Sequence, residues 1–150
     1  MALSTGAAAV TDQGELDFAR LLTVVERTVV HRLAEVLKAH GATVEEWRVL
    51  SFLSDDAGHT MTEIAEFALL QAPTLTKVVD RMVSANLVLR RPDQVDRRRV
   101  LVFPSERGRQ LVQQWTAQVR GELNELVSVV GHEELALLRA LLVTVSGRLG

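Results

Sequence analysis

Two short apolar runs, Leu87-Val88-Leu89 and Val100-Leu101-Val102-Phe103, bracket a segment crowded with charge: Arg90, Arg91, Asp93, Asp96, Arg97, Arg98 and Arg99. Apolar runs of this length, bounded by Asn, Asp and Pro, read as strands. Three adjacent guanidiniums repel one another and make a poor core, so the segment between the runs belongs in solvent. The pattern predicts a β-hairpin over 87–103 with a charged tip. Thr60-Met61 is too short to assign by itself, but could lend this hairpin a third strand. The rest of the chain follows helical spacing, so the expected fold class is mainly α with a small β-hairpin (α+β).

Over 15–39, Leu16, Leu22, Val25, Val29, Leu33, Val36 and Leu37 recur mostly at steps of three and four, and Gly41 is the expected stop. Thr43-Val44-Glu45-Glu46 has the spacing of a capping box. It opens a second helix, to about Leu53, that buries Trp47, Leu50 and Leu53 or near neighbours. Asp55-Asp56-Ala57-Gly58 reads as a turn. Thr62 is the expected N-cap of a short helix from Glu63 to about Leu69. Pro73 opens a fourth helix, to about Ala85, with Leu75, Val78, Val79 and Met82 as its buried stripe and Asn86 as its left-handed stop. Past the hairpin, Ser105 caps a long helix carrying Leu111, Val112, Trp115, Val119, Leu123, Leu126 and Val127, which Gly131 breaks.

In the last helix, from about His132 to Arg148, the residues Leu135, Leu138, Leu142, Val145 and Leu149 alternate steps of three and four. That is a two-heptad apolar seam. Two short helices joined by a tight turn and followed by a hairpin form a winged helix-turn-helix, here over 41–104. The helical segments 15–40 and 105–150 flank it, and the seam points to a homodimer built on them. Residues 1–14, rich in Ala, Gly, Ser and Thr, read as a flexible N-terminus.

A formal net charge of −2 argues against a polyanion partner until its distribution is considered. From Lys77 to Arg109 nine basic residues meet four acidic ones, a balance of +5, against −7 for the rest of the chain. A basic segment on an acidic body is the footprint of a local polyanion site. Gln71, Pro73, Thr74, Thr76, Lys77 and Arg81 lie on the fourth helix or its approach, and Asp96, Arg97, Arg98 and Arg99 lie at the hairpin tip. Arginines suit phosphate and groove contacts, and a helix N-terminus favours phosphate. The alternative for any one of these residues is an ordinary solvated face. Asp80 is expected to pair with a nearby arginine.

Other function classes fall away. With no cysteine, disulfides, thiolate redox sensing and thiolate-held metals are excluded. His31, His40, His59 and His132 show no metal-ligand spacing, and neither a nucleophile motif nor a glycine-rich phosphate cradle occurs. The expectation is a protein that is not an enzyme and has no metal or cofactor. No apolar run approaches the ~20 residues that span a bilayer. No basic-then-apolar leader opens the chain, so a cytoplasmic location without membrane contact is expected.

The stretches Thr43-Val44-Glu45-Glu46-Trp47-Arg48-Val49-Leu50, Met61-Thr62-Glu63-Ile64-Ala65, Thr74-Leu75-Thr76-Lys77-Val78-Val79-Asp80-Arg81-Met82 and Asp96-Arg97-Arg98-Arg99-Val100-Leu101-Val102 come in an informative order. With Pro104-Ser105-Glu106-Arg107-Gly108-Arg109 after them, the chain resembles the MarR family of bacterial winged-helix regulators from about Leu16 to Leu149. The resemblance implies a homodimer built from the N- and C-terminal helices, a recognition helix at 73–85 in the DNA major groove and a wing in the minor groove. The family's wing motif falls on Asp96 and Arg98, which implies that Asp96 braces the Arg98 guanidinium as it enters the groove. The cysteine of the oxidation-sensing branch is absent; Ala19 stands in that neighbourhood.

The resemblance also implies an effector site between the flanking helices and the winged domain. Arg20, Arg27 and His31 on the first helix and Trp47 on the second are the candidates, since arginine beside an aromatic suits an anionic aromatic ligand. The expected function is a dimeric, sequence-specific transcription regulator acting on double-stranded, pseudo-palindromic DNA, a repressor released by a small aromatic acid. The alternatives are an effector-independent DNA-binding protein and a helical protein–protein interaction module.

Overall fold

The computed structural model of the chain describes residues 5–150 in backbone, with side chains described from Asp17 onward. Residues 1–4 and the side chain of Leu16 lie outside the described residues, whereas 5–14, expected to be part of a flexible N-terminus, continue the first helix in backbone. The first helix, α1, spans Thr5–Lys38 and so begins ten residues before the periodic stretch. A turn closed by the left-handed Gly41 follows its end: the Gly41 N–H donates to the Lys38 carbonyl at 3.1 Å and the Ala42 N–H to the Leu37 carbonyl at 3.0 Å. These paired bonds satisfy the last carbonyls of the helix.

Helix α2 (Val44–Phe52) opens on the expected capping box: Thr43 accepts from the Glu46 N–H and Glu46 from the Thr43 N–H. A short 3-10 turn, Leu53–Asp55, follows it. The next helix, α3, spans Met61–Ala68 and corrects the expected cap. Thr60, not Thr62, is its N-cap, accepting from the Glu63 N–H while the Glu63 carboxylate accepts from the Thr60 N–H at 2.7 Å. The box requires an acid or amide three residues after the cap. Thr60 meets Glu63 at that spacing, whereas Thr62 would meet Ala65. Thr60-Met61 is thus helix start rather than strand. The third-strand contact moves one residue back, to a single bridge in which the His59 and Val102 main chains exchange bonds of 3.1 and 2.8 Å.

Helix α4 (Ala72–Ser84) carries Pro73 in its first turn, buries Leu75, Val78, Val79 and Met82 as expected, and is followed by a left-handed Asn86. Strands β1 (Val88–Pro92) and β2 (Val100–Pro104) pair antiparallel, from Val88 opposite Pro104 to Pro92 opposite Val100. Helix α5 (Glu106–Val130) starts on the Ser105 cap, and Gly131 separates it from α6 (His132–Leu149). The core gathers Leu37, Val49, Leu50, Leu53, Ile64, Leu75, Val79, Met82, Val88 and Val102 between the end of α1, the three central helices, the hairpin and the first half of α5. The fold is a winged helix-turn-helix with long flanking helices. Helix α6 buries none of its residues.

Candidate nucleic-acid interface

The buried stripe of α4 fixes which of its residues face solvent. With Leu75, Val78, Val79 and Met82 inside, Pro73, Thr74, Thr76, Lys77, Asp80 and Arg81 are exposed, as is the capping residue Gln71. Gln71 makes no side-chain cap bond, so the first turn of α4 leaves donors open. Thr76 returns its hydroxyl to the Ala72 carbonyl at 2.9 Å. Arg81 is drawn toward the Glu46 carboxylate of α2, 3.8 Å away.

The hairpin tip is a closed turn. The Asp93 N–H donates to the Arg99 carbonyl and the Arg99 N–H to the Asp96 carbonyl, both at 2.9 Å. The Val95 N–H donates to Asp93 Oδ1 at 2.9 Å, and the Arg98 N–H to Asp96 Oδ1 at 3.1 Å. The expected brace therefore differs in kind. Asp96 bonds the Arg98 main chain and shapes the turn, rather than clasping the Arg98 guanidinium. A short carboxylate reaches the N–H two residues on more readily than the end of a long exposed side chain. Arg97, Arg98 and Arg99 are all exposed.

The structure also divides the basic segment. Arg90 Nη2 meets Asp80 Oδ1 at 2.7 Å, the pairing expected for Asp80. Arg109 Nε meets Asp56 Oδ1 at 2.9 Å, tying α5 to the turn after α2. Charge that the sequence counts as available is thus partly spent inside the fold. At the root of the hairpin, His59 Nε2 lies 2.8 Å from Asp55 Oδ2, with its ring 4.2 Å from that of Phe52. The Ala57 N–H, and to a lesser extent His59, hold the Asp55 carboxyl below its usual range. Bonds from the Thr60 N–H and hydroxyl do the same for Glu63.

The candidate effector residues do not come together. Arg20 pairs with Asp17 at 2.9 Å, one turn back on its own helix, while Arg27 and His31 are exposed on α1. Trp47 is half-buried and donates its indole N–H to Thr116 Oγ1 of α5 at 3.1 Å. It lines a hollow of about 460 Å³ with Ser51, Ser54, Val112, Gln113 and Thr116, which Arg20, Arg27 and His31 do not line. Ser51 Oγ, at this hollow, is buried without a hydrogen-bond partner. The sequence signal that finds these residues is helical spacing: Trp47 and Ser51 are one turn apart, as are Gln113 and Thr116. The ion pairs from Arg32 to Glu122 and Glu125, which lock α1 to α5, carried no such signal.

Comparison with known proteins agrees with this geometry. Residues 42–100, which hold α2 to the start of β2, match the model of the MarR family. The HTH-type transcriptional regulator FarR of Neisseria gonorrhoeae is 27% identical over 107 residues, covering 71% of this chain and 73% of its own. The homoprotocatechuate degradative operon repressor of Escherichia coli is 24% identical over 71% of this chain and 72% of its own. A mutant MarR from E. coli, solved in complex with operator DNA, superposes with a TM-score of 0.79 at 28% identity, covering 88% of this chain and 95% of its own. A helix-turn-helix and a basic hairpin lie in the segment that matches the MarR family model, and over most of its length the chain is similar to these transcription regulators.

Proposed function

We propose that the chain is a dimeric repressor that reads an inverted repeat with α4 in the major groove and the hairpin tip in the minor groove. One observation carries this reading. The helix that exposes Thr74, Thr76 and Lys77 is joined directly to the first strand of the arginine-tipped hairpin, through Asp80 and Arg90. Gln71, Pro73, Thr74 and Thr76 meet base edges or phosphate at the helix start, Lys77 and Arg81 meet phosphate, and Arg97, Arg98 and Arg99 meet the minor groove. Asp96 acts through the turn. The operator DNA bound by the MarR neighbour supports operator DNA as the partner.

Residues 41–104 form the DNA-reading unit, and α1 with α5 and α6 forms the dimerisation region. Leu138, Leu142 and Val145 are 37%, 46% and 41% exposed, and Phe18, Leu21 and Val25 of α1 are 56%, 47% and 48% exposed. A large apolar surface of this kind marks an interface. Binding of an inverted-repeat duplex and of a scrambled one, each titrated with salt, is the test. Specific binding with a steep salt slope supports the reading. Equal binding to both duplexes favours an interaction module with an acidic protein partner instead.

The ligand part of the proposal moves from the α1 cations to the Trp47 hollow. A small aromatic ring fits its indole and apolar wall, and Ser51, Gln113 and Thr116 offer bonds to a ring hydroxyl or a carboxylate. The aromatic acid in the name of the homoprotocatechuate repressor supports that ligand class. Each benzoate or cinnamate is titrated beside its neutral amide, reading Trp47 emission in a Trp115→Phe background together with DNA release. A ligand releases DNA only through tighter binding to the DNA-incompetent dimer. No response to either series at millimolar concentration leaves the effector-independent regulator.

A further inference from the structure

Asp80 is an acid on a surface otherwise suited to phosphate. Lys77 lies one turn before it and Arg81 beside it. An unpaired carboxylate there would repel a DNA backbone, so its place calls for an internal use. Its partner is Arg90, ten residues on, across the boundary between α4 and β1. Arg81, the next residue, leans the other way, toward Glu46 of α2. The last turns of α4 are therefore strapped on two flanks, to the wing and to the body.

The row that Arg90 occupies is the outermost one that hydrogen bonds or ion pairs tie to the rest of the fold. Arg90 lies opposite Val102, and Val102 exchanges main-chain bonds with His59. Beyond that row, Arg91 and Pro92 pair with Leu101 and Val100, and the tip projects past them. The wing is thus a two-stranded lever hinged at the Arg90–Val102 row. Three residues of strand from Arg90 to the tip span about 10 Å. A tilt of ~10° at the root then shifts the tip by about 2 Å, more than a hydrogen bond tolerates.

We propose that Asp80 and Arg90 are positioning residues for DNA recognition: their ion pair sets the wing angle relative to α4, so that the tip arginines reach the minor groove when α4 is seated in the major groove. This rests on the DNA-reading proposal above. An exposed pair of this kind contributes little to folding stability, so its loss should leave the fold intact while loosening the lever.

The test measures what Arg98→Ala costs in different backgrounds. The probe is one inverted-repeat duplex selected from a random pool by the wild-type full-length chain, at fixed salt. In the wild type, Arg98→Ala should weaken binding at least tenfold. In Arg90→Gln or Asp80→Asn, the further loss from Arg98→Ala should fall below threefold, with the melting midpoint near that of the wild type. The swap of Asp80→Arg with Arg90→Asp should restore the tenfold sensitivity. A purely structural role would lower affinity in every background without changing the cost of Arg98→Ala, so an equal cost in all backgrounds overturns the inference. If Arg98→Ala costs nothing in the wild type, the wing contact itself fails, and the inference falls with it.

Discussion

The Ser105 hydroxyl donates to the Asn86 carbonyl oxygen at 2.6 Å and accepts from the Gly108 N–H at 2.9 Å. One buried side chain thus closes the end of α4, where Asn86 is left-handed, onto the start of α5. Ser105→Ala removes the cap and leaves the Asn86 carbonyl without this donor. The expected loss is about 1–3 kcal/mol, from the cap together with the unmade buried bond. Urea unfolding measures it, and a loss within error of zero contradicts the role.

At Gly108, α5 packs close against the backbone just before β1. A Cβ there would lie 2.1 Å from the Leu87 carbonyl oxygen, which is backbone and cannot step aside. Gly108→Ala should cost about 1–3 kcal/mol by overpacking, despite the better helix propensity of alanine. The sign is the informative part: a stabilised variant in the same unfolding measurement would show that α5 shifts freely at this point.

The exposed seam on α6 predicts the oligomeric state. Leu138→Glu with Leu142→Glu should give monomer or unfolded chain, because buried charge without a partner is costly. Sedimentation of the wild type at micromolar concentration should give a dimer. A monomeric wild type ends the dimer proposal.

Asp96 and Arg98 should fail differently. Arg98→Ala removes a guanidinium and should lower the salt slope of DNA binding by about one. Asp96→Ala keeps every cation but loosens the turn, so it should weaken binding without lowering that slope. Asp96→Asn, which can still accept from the Arg98 N–H, should restore most of the affinity. If Asp96→Asn is as weak as Asp96→Ala, the carboxylate charge matters rather than the turn bond.

Acid should undo the α3 cap. The Glu63 carboxyl lies below its usual value of 4.5 because the Thr60 N–H and hydroxyl bond its ionised form. A depressed carboxylate contributes its stability above the unfolded pKa and loses it as pH falls through the lower, folded one. Wild type should therefore melt higher than Glu63→Gln at pH 7, with the gap closing as the pH drops below about 4.5. A gap that does not change from pH 7 to pH 3 shows that ionisation of Glu63 plays no part.

Sequence alone determined the features set by neighbours a few residues apart. Gly41, the Thr43–Glu46 box, Asn86 and Ser105 mark helix ends because caps depend on local spacing and on residues that tolerate a left-handed backbone. The stripe Leu75, Val78, Val79 and Met82 told which face of α4 points outward, and the apolar runs around the arginines told where the hairpin lies. Even there, two threonines two residues apart competed for one cap, and the partner at Glu63 chose Thr60. Which distant groups meet was settled by packing. Trp47 bonds Thr116, Arg109 bonds Asp56, and Arg32 pairs with Glu122 across separations of 69, 53 and 90 residues. Exposed-looking charges have many possible partners along a chain, and packing selects among them through distance and burial. For that reason the sequence placed Arg20, Arg27, His31 and Trp47 in one site, while the fold left the first three on α1 and turned Trp47 toward α5.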